Sequence, residues 1–272
     1  GHPPQSAPGG FLPGVAARAS ALLAAGDLAP DAVLQVADSL EVGEVELPAP
    51  LAEASQRLCT QALAALGGLA ALPEEAPQEL QTAQAALRDV AALGLTTVGA
   101  RSTVRLLSAL GISGAEGSAP PLTWPGGEPS GGAAFGMTRV RCALRYHLLL
   151  SAALPGESEY QHRALAESGC LWQSGDDPDP DGFGFLVPVE LRFPRDRDAE
   201  FLALTAVVAA ARRAAIEMGV SRWDLRGRLW MRVSHTPCLS CIGAMVQFRR
   251  AFPDVRLDVS FESEGEAKHW HL

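Results

Sequence analysis

The stretch from Arg228 to Phe261, RLWMRVSHTPCLSCIGAMVQFRRAFPDVRLDVSF, reads as a strand, a helix and a second strand in close succession. Arg228 to Val233 forms the first strand, Leu239 to Ala251 the helix and Val255 to Phe261 the second strand. The helix opens on Pro237-Cys238-Leu239-Ser240-Cys241. Pro237 suits a first helical turn because it lacks the amide hydrogen that would go unsatisfied there. Cys238 and Cys241, three residues apart, then share one face, and both sulfurs can reach a single metal ion. The positive end of the helix dipole lowers the cost of forming thiolates, the species that bind metal. Two other readings of this motif by itself stay open: small residues packed at a helix start, and a redox pair of thiols.

Working outward toward the N-terminus, Asp198 to Met218 reads as a helix opened by Asp198-Ala199-Glu200. Acidic residues favour a first helical turn as caps and surface charge. Here, however, the helix that follows is apolar (Phe201-Leu-Ala-Leu-Thr-Ala-Val-Val-Ala-Ala) and reads as buried, so its start at a sheet edge is a place to build a site. Phe183 to Phe193 alternates as a strand despite Pro188, which suits an edge or a bulge. The acidic turn Ser174 to Gly182 precedes it, then a short strand at Gly169 to Gln173, and helical stretches at Ser158 to Glu167 and Ala134 to Leu154. Helices interleaved with strands predict an α/β fold around a central sheet. No internal repeat is evident.

The N-terminal half is different in kind. Apolar residues recur at helical spacing in Leu51 to Leu66, Gln78 to Leu93 and Val98 to Leu110, broken by Gly67-Gly68, Pro73 and Gly94, which predicts a small helical bundle. Residues 113–132 are rich in Gly, Pro and Ser, the composition of a linker. The expected organisation is therefore a helical region at 1–112, a linker at 113–132 and an α/β domain at 133–272. Residues 1 to 132 carry 5 Arg and 13 acidic residues, whereas 133 to 272 carry 17 basic and 18 acidic ones, so the first half is the acidic one. That acidic half is a candidate for a protein partner.

With 272 residues, 47% of them hydrophobic, the chain has enough apolar material for a packed core. No apolar run approaches the roughly 18 residues of a membrane span, so no membrane anchor is expected. No signal peptide is recognisable, and Gly1-His2-Pro3-Pro4 reads as a cut end, which leaves targeting undetermined. Five cysteines are an odd count, and Cys-x-x-Cys spacing suits metal better than a disulfide framework, favouring a reducing, intracellular compartment. Cys59, Cys142 and Cys170 read as core residues. A single Lys (Lys268) among 22 basic residues, together with no Asn at all, fits a GC-rich genome.

Asp198-Ala199-Glu200 and Pro237 to Cys241 together resemble the cytidine deaminase superfamily. Its signature is His, Cys or Asp, then any residue, then Glu, followed after a strand by Pro-Cys-x-x-Cys. Arg228 to Val233 supplies the strand between them. The string Ser234-His235-Thr236-Pro237-Cys238 is also similar to the Ser-Trp-Ser-Pro-Cys of the APOBEC and activation-induced deaminases. The resemblance covers roughly Ala134 to Phe261 and implies a three-layer α/β/α domain with a central mixed sheet, preceded here by the helical region. It implies Zn2+ held by Asp198, Cys238 and Cys241 with a fourth position left for water, and Glu200 as proton shuttle rather than ligand. The commonest first ligand in the family is His. Asp is an admitted alternative, especially among toxin-type bacterial and scattered eukaryotic deaminases, and its added charge makes water on the metal less acidic.

The resemblance also implies a substrate. His235 falls where the APOBEC pattern places an aromatic residue beside the target base. Arg192, Arg195 and Arg197 lie between the second strand and the Glu200 helix, at the rim where a phosphate passes in this fold; a solvated loop is the other reading. The extra helical half and the Arg-bearing loops favour cytosine in a polynucleotide, single-stranded DNA first, over a free nucleoside, with RNA and duplex DNA as further substrates. A net charge of −9 argues against a broad nucleic-acid surface, yet 13 of the 17 basic residues of the second half follow residue 190. Three alternatives stand: a nucleoside, nucleotide or tRNA adenosine deaminase, a non-catalytic zinc module for protein interaction, and a function dominated by the acidic helical half. At the C-terminus, His269-Trp270-His271 follows three glutamates and can bind stray metal or stack on a nucleotide.

Overall fold

The computed structural model of the protein describes residues 11–70, 85, 88–93, 95–116, 140–152, 157–167, 170–171, 186–188, 195–217 and 223–262. In chain order the elements are α1 (Phe11–Ala25), α2 (Pro30–Val42), α3 (Ala49–Ala70), α4 (Ala100–Ala109), β1 (Ser113–Glu116), β2 (Arg141–Ala152), β3 (Glu157–Glu167), β4 (Cys170–Leu171), α5 (Ala199–Glu217), β5 (Trp223–Val233), α6 (Leu239–Ala251) and β6 (Val255–Phe261). The strands form one mixed sheet in the order β1-β6-β5-β2-β3-β4. β5 and β6 are parallel and joined through α6, β1 runs parallel to β6, and β2 is antiparallel to both β3 and β5.

The unit predicted over 228–261 is present: α6 and β6 have the predicted bounds, and β5 starts earlier, at Trp223. α5 likewise occupies the stretch predicted from Asp198 to Met218. The two helices expected at Ala134 to Leu154 and Ser158 to Glu167 are instead the strands β2 and β3 over their described residues. In β2 Cys142, Leu144, Tyr146, Leu148 and Leu150 are buried, as is the small Ala143, whereas Arg145 and His147 are exposed, so from 144 to 150 the period is two and not 3.6. β3 contains strong helix formers, but it pairs with β2 from Arg141↔Glu167 to Ser151↔Glu157, and this non-local ladder overrides local propensity. The strand expected at Gly169 to Gln173 is present as the short β4.

Two further expectations change. Leu186 to Pro188, the described part of the strand expected at Phe183 to Phe193, is not a strand. Its backbone is satisfied by a side chain: the Val187 amide donates to Gln247 Oε1 and Gln247 Nε2 donates to the Val187 carbonyl, both at 2.8 Å. The first four residues of the expected linker form β1, in register Ser113↔Asp258 to Glu116↔Phe261, while 117–132 lie outside the described residues. Gly114 lets β1 lie close to α4, since a Cβ there would meet Leu107 Cδ1 at 2.9 Å and Leu107 Cβ at 3.2 Å and Leu107 would have to shift.

All inward side chains of β2, β5 and β6 face the same way; α5 and α6 cover that face, and α4 packs beside β1 with Leu106 and Leu107 in the same core. The opposite face of the sheet carries no helix among the described residues. The α/β class expected from the sequence is present, and among the described residues the layers run sheet, then α4 to α6, then the N-terminal helices. α3 and α4 occupy the stretches predicted as helical, 88–92 is helical within the stretch expected at Gln78 to Leu93, and α1 and α2 are additional. α1, α2 and the start of α3 bury a small cluster of their own around Leu40 and Leu51. Leu34, Ala62, Leu66, Leu95, Val98 and Leu107 instead join the core that includes Phe248, Met231 and Phe261. A separately folded 1–112 unit is therefore not what these contacts describe. Within the helical region, Asp38 of α2 accepts from the amides of Arg101 and Ser102 at the start of α4. No described helix is long and apolar enough to cross a membrane.

Candidate metal centre

The starts of α5 and α6 meet at the end of β5 and bring the two sequence motifs together. Asp198 is the residue before α5, and its carbonyl accepts the amide of Leu202. Cys238 caps α6, its sulfur accepting the amide of Cys241 at 3.4 Å. The next amide, that of Leu239, donates to the Thr96 carbonyl at 2.9 Å, so the helical region holds the first turn that presents both cysteines.

Within this corner both thiols point at one carboxylate oxygen. Cys238 Sγ lies 3.5 Å and Cys241 Sγ 3.4 Å from Asp198 Oδ2, and the two sulfurs are 3.3 Å apart. Asp198, Cys238 and Cys241 are the one cluster of potential metal donors among the described residues. Cys241 is buried, and Asp198 keeps partial exposure. Without a metal, the hydrogen bond to Cys238 and then burial push the Cys241 thiol well above its ordinary range. A metal must therefore displace protons on binding.

Glu200 stands two residues into the same corner, 3% exposed and outside the donor set. Burial raises its carboxyl from 4.5 to about 7, with the negative charge of Asp198 adding to the rise. A hydrogen bond to its own backbone amide, one with Cys241 and the charge of Arg195 oppose it. Cys142 of β2 is fully buried nearby; burial first and the charge of Glu200 second keep it a neutral thiol.

The remaining predicted site residues divide. Arg195 is turned inward and not to a rim: Nη1 is 3.6 Å from Asp198 Oδ2, and Nε is buried without a hydrogen-bond partner. The signal was present in the i,i+3 spacing of Arg195 and Asp198, which the rim reading passed over. Arg197 is exposed in the turn before α5. His235 is half-buried and outside the donor set, its Nδ1 2.9 Å from Ser234 Oγ, which in turn accepts the Arg141 amide. Arg192, His269, Trp270 and His271 lie outside the described residues. The role of Thr96 in fixing the α6 turn had no sequence signal, because any residue offers a carbonyl. No protein-family model, curated protein or solved structure matches this chain.

Proposed function

We propose that the protein is a zinc-dependent hydrolytic deaminase that converts cytosine to uracil in single-stranded nucleic acid, DNA first. The observation that carries this reading is the convergence of Asp198, Cys238 and Cys241 with a buried carboxyl of raised pKa, Glu200, beside them. The donor chemistry fits zinc. Two thiolates and a carboxylate are soft-to-borderline ligands of the kind that select zinc over calcium or magnesium. Vertices of a tetrahedral zinc site stand about 3.5 Å apart for a sulfur and an oxygen and about 3.8 Å apart for two sulfurs. The gaps here are 3.4 and 3.5 Å for sulfur to oxygen and 3.3 Å for sulfur to sulfur, so small shifts suffice.

Bound by these three ligands, zinc supplies a Lewis acid with one open position for water. Glu200 does the proton work. As carboxylate it would take one proton from the attacking water and, as carboxylic acid, pass it to ring nitrogen N3; it would then take the remaining proton from the hydroxyl on C4 and pass it to the departing amine, so that cytosine and water become uracil and ammonia. A pKa near neutrality makes both forms available. Arg195 offsets the extra negative charge that Asp198 brings compared with a neutral imidazole.

The test is to incubate the purified protein with single-stranded and duplex DNA and RNA and to sequence the products. C-to-U conversion that disappears in Glu200→Gln with zinc retained is the expected result. Zinc binding without turnover of any substrate would leave an interaction module, and A-to-I conversion would make the enzyme an adenosine deaminase.

A further inference from the structure

The face of the sheet turned away from α4 to α6 is a row of cations built around one aromatic ring, and the mechanism above makes no use of it. The outward positions of β5 include Arg228, Trp230 and Arg232, with Arg145 of β2 opposite Trp230 and Arg256 of β6 opposite Arg228. Two guanidinium groups lie over the Trp230 ring, Arg228 at 4.8 Å and Arg145 at 5.9 Å from its centroid. Arg228 and Arg256 share a single carboxylate, that of Asp258, and Arg232 bonds Glu262 at the sheet end. Arg145 is exposed, and the Arg256 side chain is 62% exposed.

We propose that this face, along β5, binds the backbone and one base of single-stranded nucleic acid. The occupant follows from three features. In a chain of net charge −9, a patch of Arg clustered on one sheet face is suited to a polyanion and not to a neutral partner. Trp230 offers a stacking platform once a base takes the place of a guanidinium group over its ring, freeing that Arg for a phosphate, and base stacking on aromatic rings is how single strands are held without sequence preference. Same-face neighbours along a strand are about 6.7 Å apart, so Arg228 and Arg232 bracket Trp230 with room for a phosphate on either side of a stacked base. The row ends where β5 passes into the loop carrying His235 and the two cysteines, so a strand held there leads toward the metal corner. The identity of the occupant rests on the nucleic-acid reading above.

The experiment uses the full chain carrying Glu200→Gln and fluorescein-labelled oligothymidine, a probe that contains no cytosine. Anisotropy across a salt series is compared for that protein and for the same protein with Trp230→Ala or with Arg145→Gln and Arg228→Gln together. Trp230→Ala is expected to weaken binding about fivefold or more, the loss of one stacked base. The double Arg variant, which keeps the ring, is expected to lower the slope of log Kd against log salt by about 1.4, two single-strand phosphate contacts. Zinc content should be unchanged in both. Unchanged affinity and slope in the double Arg variant overturn the proposal. So does displacement of the oligonucleotide by polyglutamate at equal charge, which would assign the face to an acidic protein segment. Oligothymidine binding that depends on these residues in a protein without deaminase activity would keep the surface and remove the enzymatic reading. Deamination of cytosine strands by protein whose face variants bind normally would do the reverse.

Discussion

A carboxyl group sealed from water but half-ionised near neutral pH is equipped to carry protons, and Glu200 owes that state mainly to its burial. The same shift couples it to folding. Because its pKa is raised in the folded protein, the stabilising contribution is complete at low pH and is lost as pH climbs from 4.5 through about 7. In metal-free protein, Glu200→Gln, which is neutral at every pH, is therefore expected to be more stable than the native chain above pH 7, by ~3 kcal/mol at most. That advantage should vanish near pH 4. Urea unfolding at both pH values checks it, and equal stability at pH 8 would mean that water reaches the carboxyl. At the neighbouring thiols the prediction runs the other way. Zinc affinity should rise with pH, by about one log unit per pH unit for each thiol proton displaced. Cys238→Ser combined with Cys241→Ser should abolish it, as competition with a chromophoric chelator will report, whereas Asp198→His should retain zinc.

Among the elements, β5 is constrained at one backbone position. Gly227 has φ +132°, and a Cβ there would overlap the His147 carbonyl oxygen and crowd Leu148 Cα at 3.2 Å. Both obstacles are backbone, so neither can turn aside. Gly227→Ala is expected to destabilise the protein by about 2–3 kcal/mol, measurable as a lowered urea midpoint with unchanged zinc stoichiometry in the surviving folded fraction. The contrast between β5 and its neighbours marks how far the sequence could be read. α6 and β6 were legible because their pattern is local: a Pro at the start, an apolar helix, then Val255, Leu257, Val259 and Phe261 alternating with polar residues. β2 was not, because Leu148-Leu149-Leu150 breaks its alternation and leaves a run whose period is ambiguous. β3 was not, because its ladder partner supplies what its own residues do not specify. The two cysteines were legible from their spacing, and Asp198 joined them through the resemblance of its motif to the deaminase signature. The inward turn of Arg195 depended on the packing around it.

At the scale of the whole molecule, the acidic helical region and the sheet share one core, so the division at the Gly/Pro/Ser stretch is one of composition and not of packing. Removing residues 1–112 would uncover the apolar surface of α6 against which α3 packs and would strip the Thr96 carbonyl from the Leu239 amide. The isolated fragment 133–272 is expected to be insoluble or to bind 8-anilinonaphthalene sulfonate strongly. A soluble fragment with full zinc content and a native near-ultraviolet spectrum would contradict that.

The hydrogen bond from Leu239 to Thr96 has a practical corollary for anyone dividing the chain. Cut between residues 117 and 139 and expressed as two polypeptides, the protein would behave as a complementing pair. The longer-numbered piece carries every metal donor yet lacks the anchor that sets their spacing, and the other carries the anchor alone. Metal capture would then report reassembly, making the centre a sensor of whether its two halves have met.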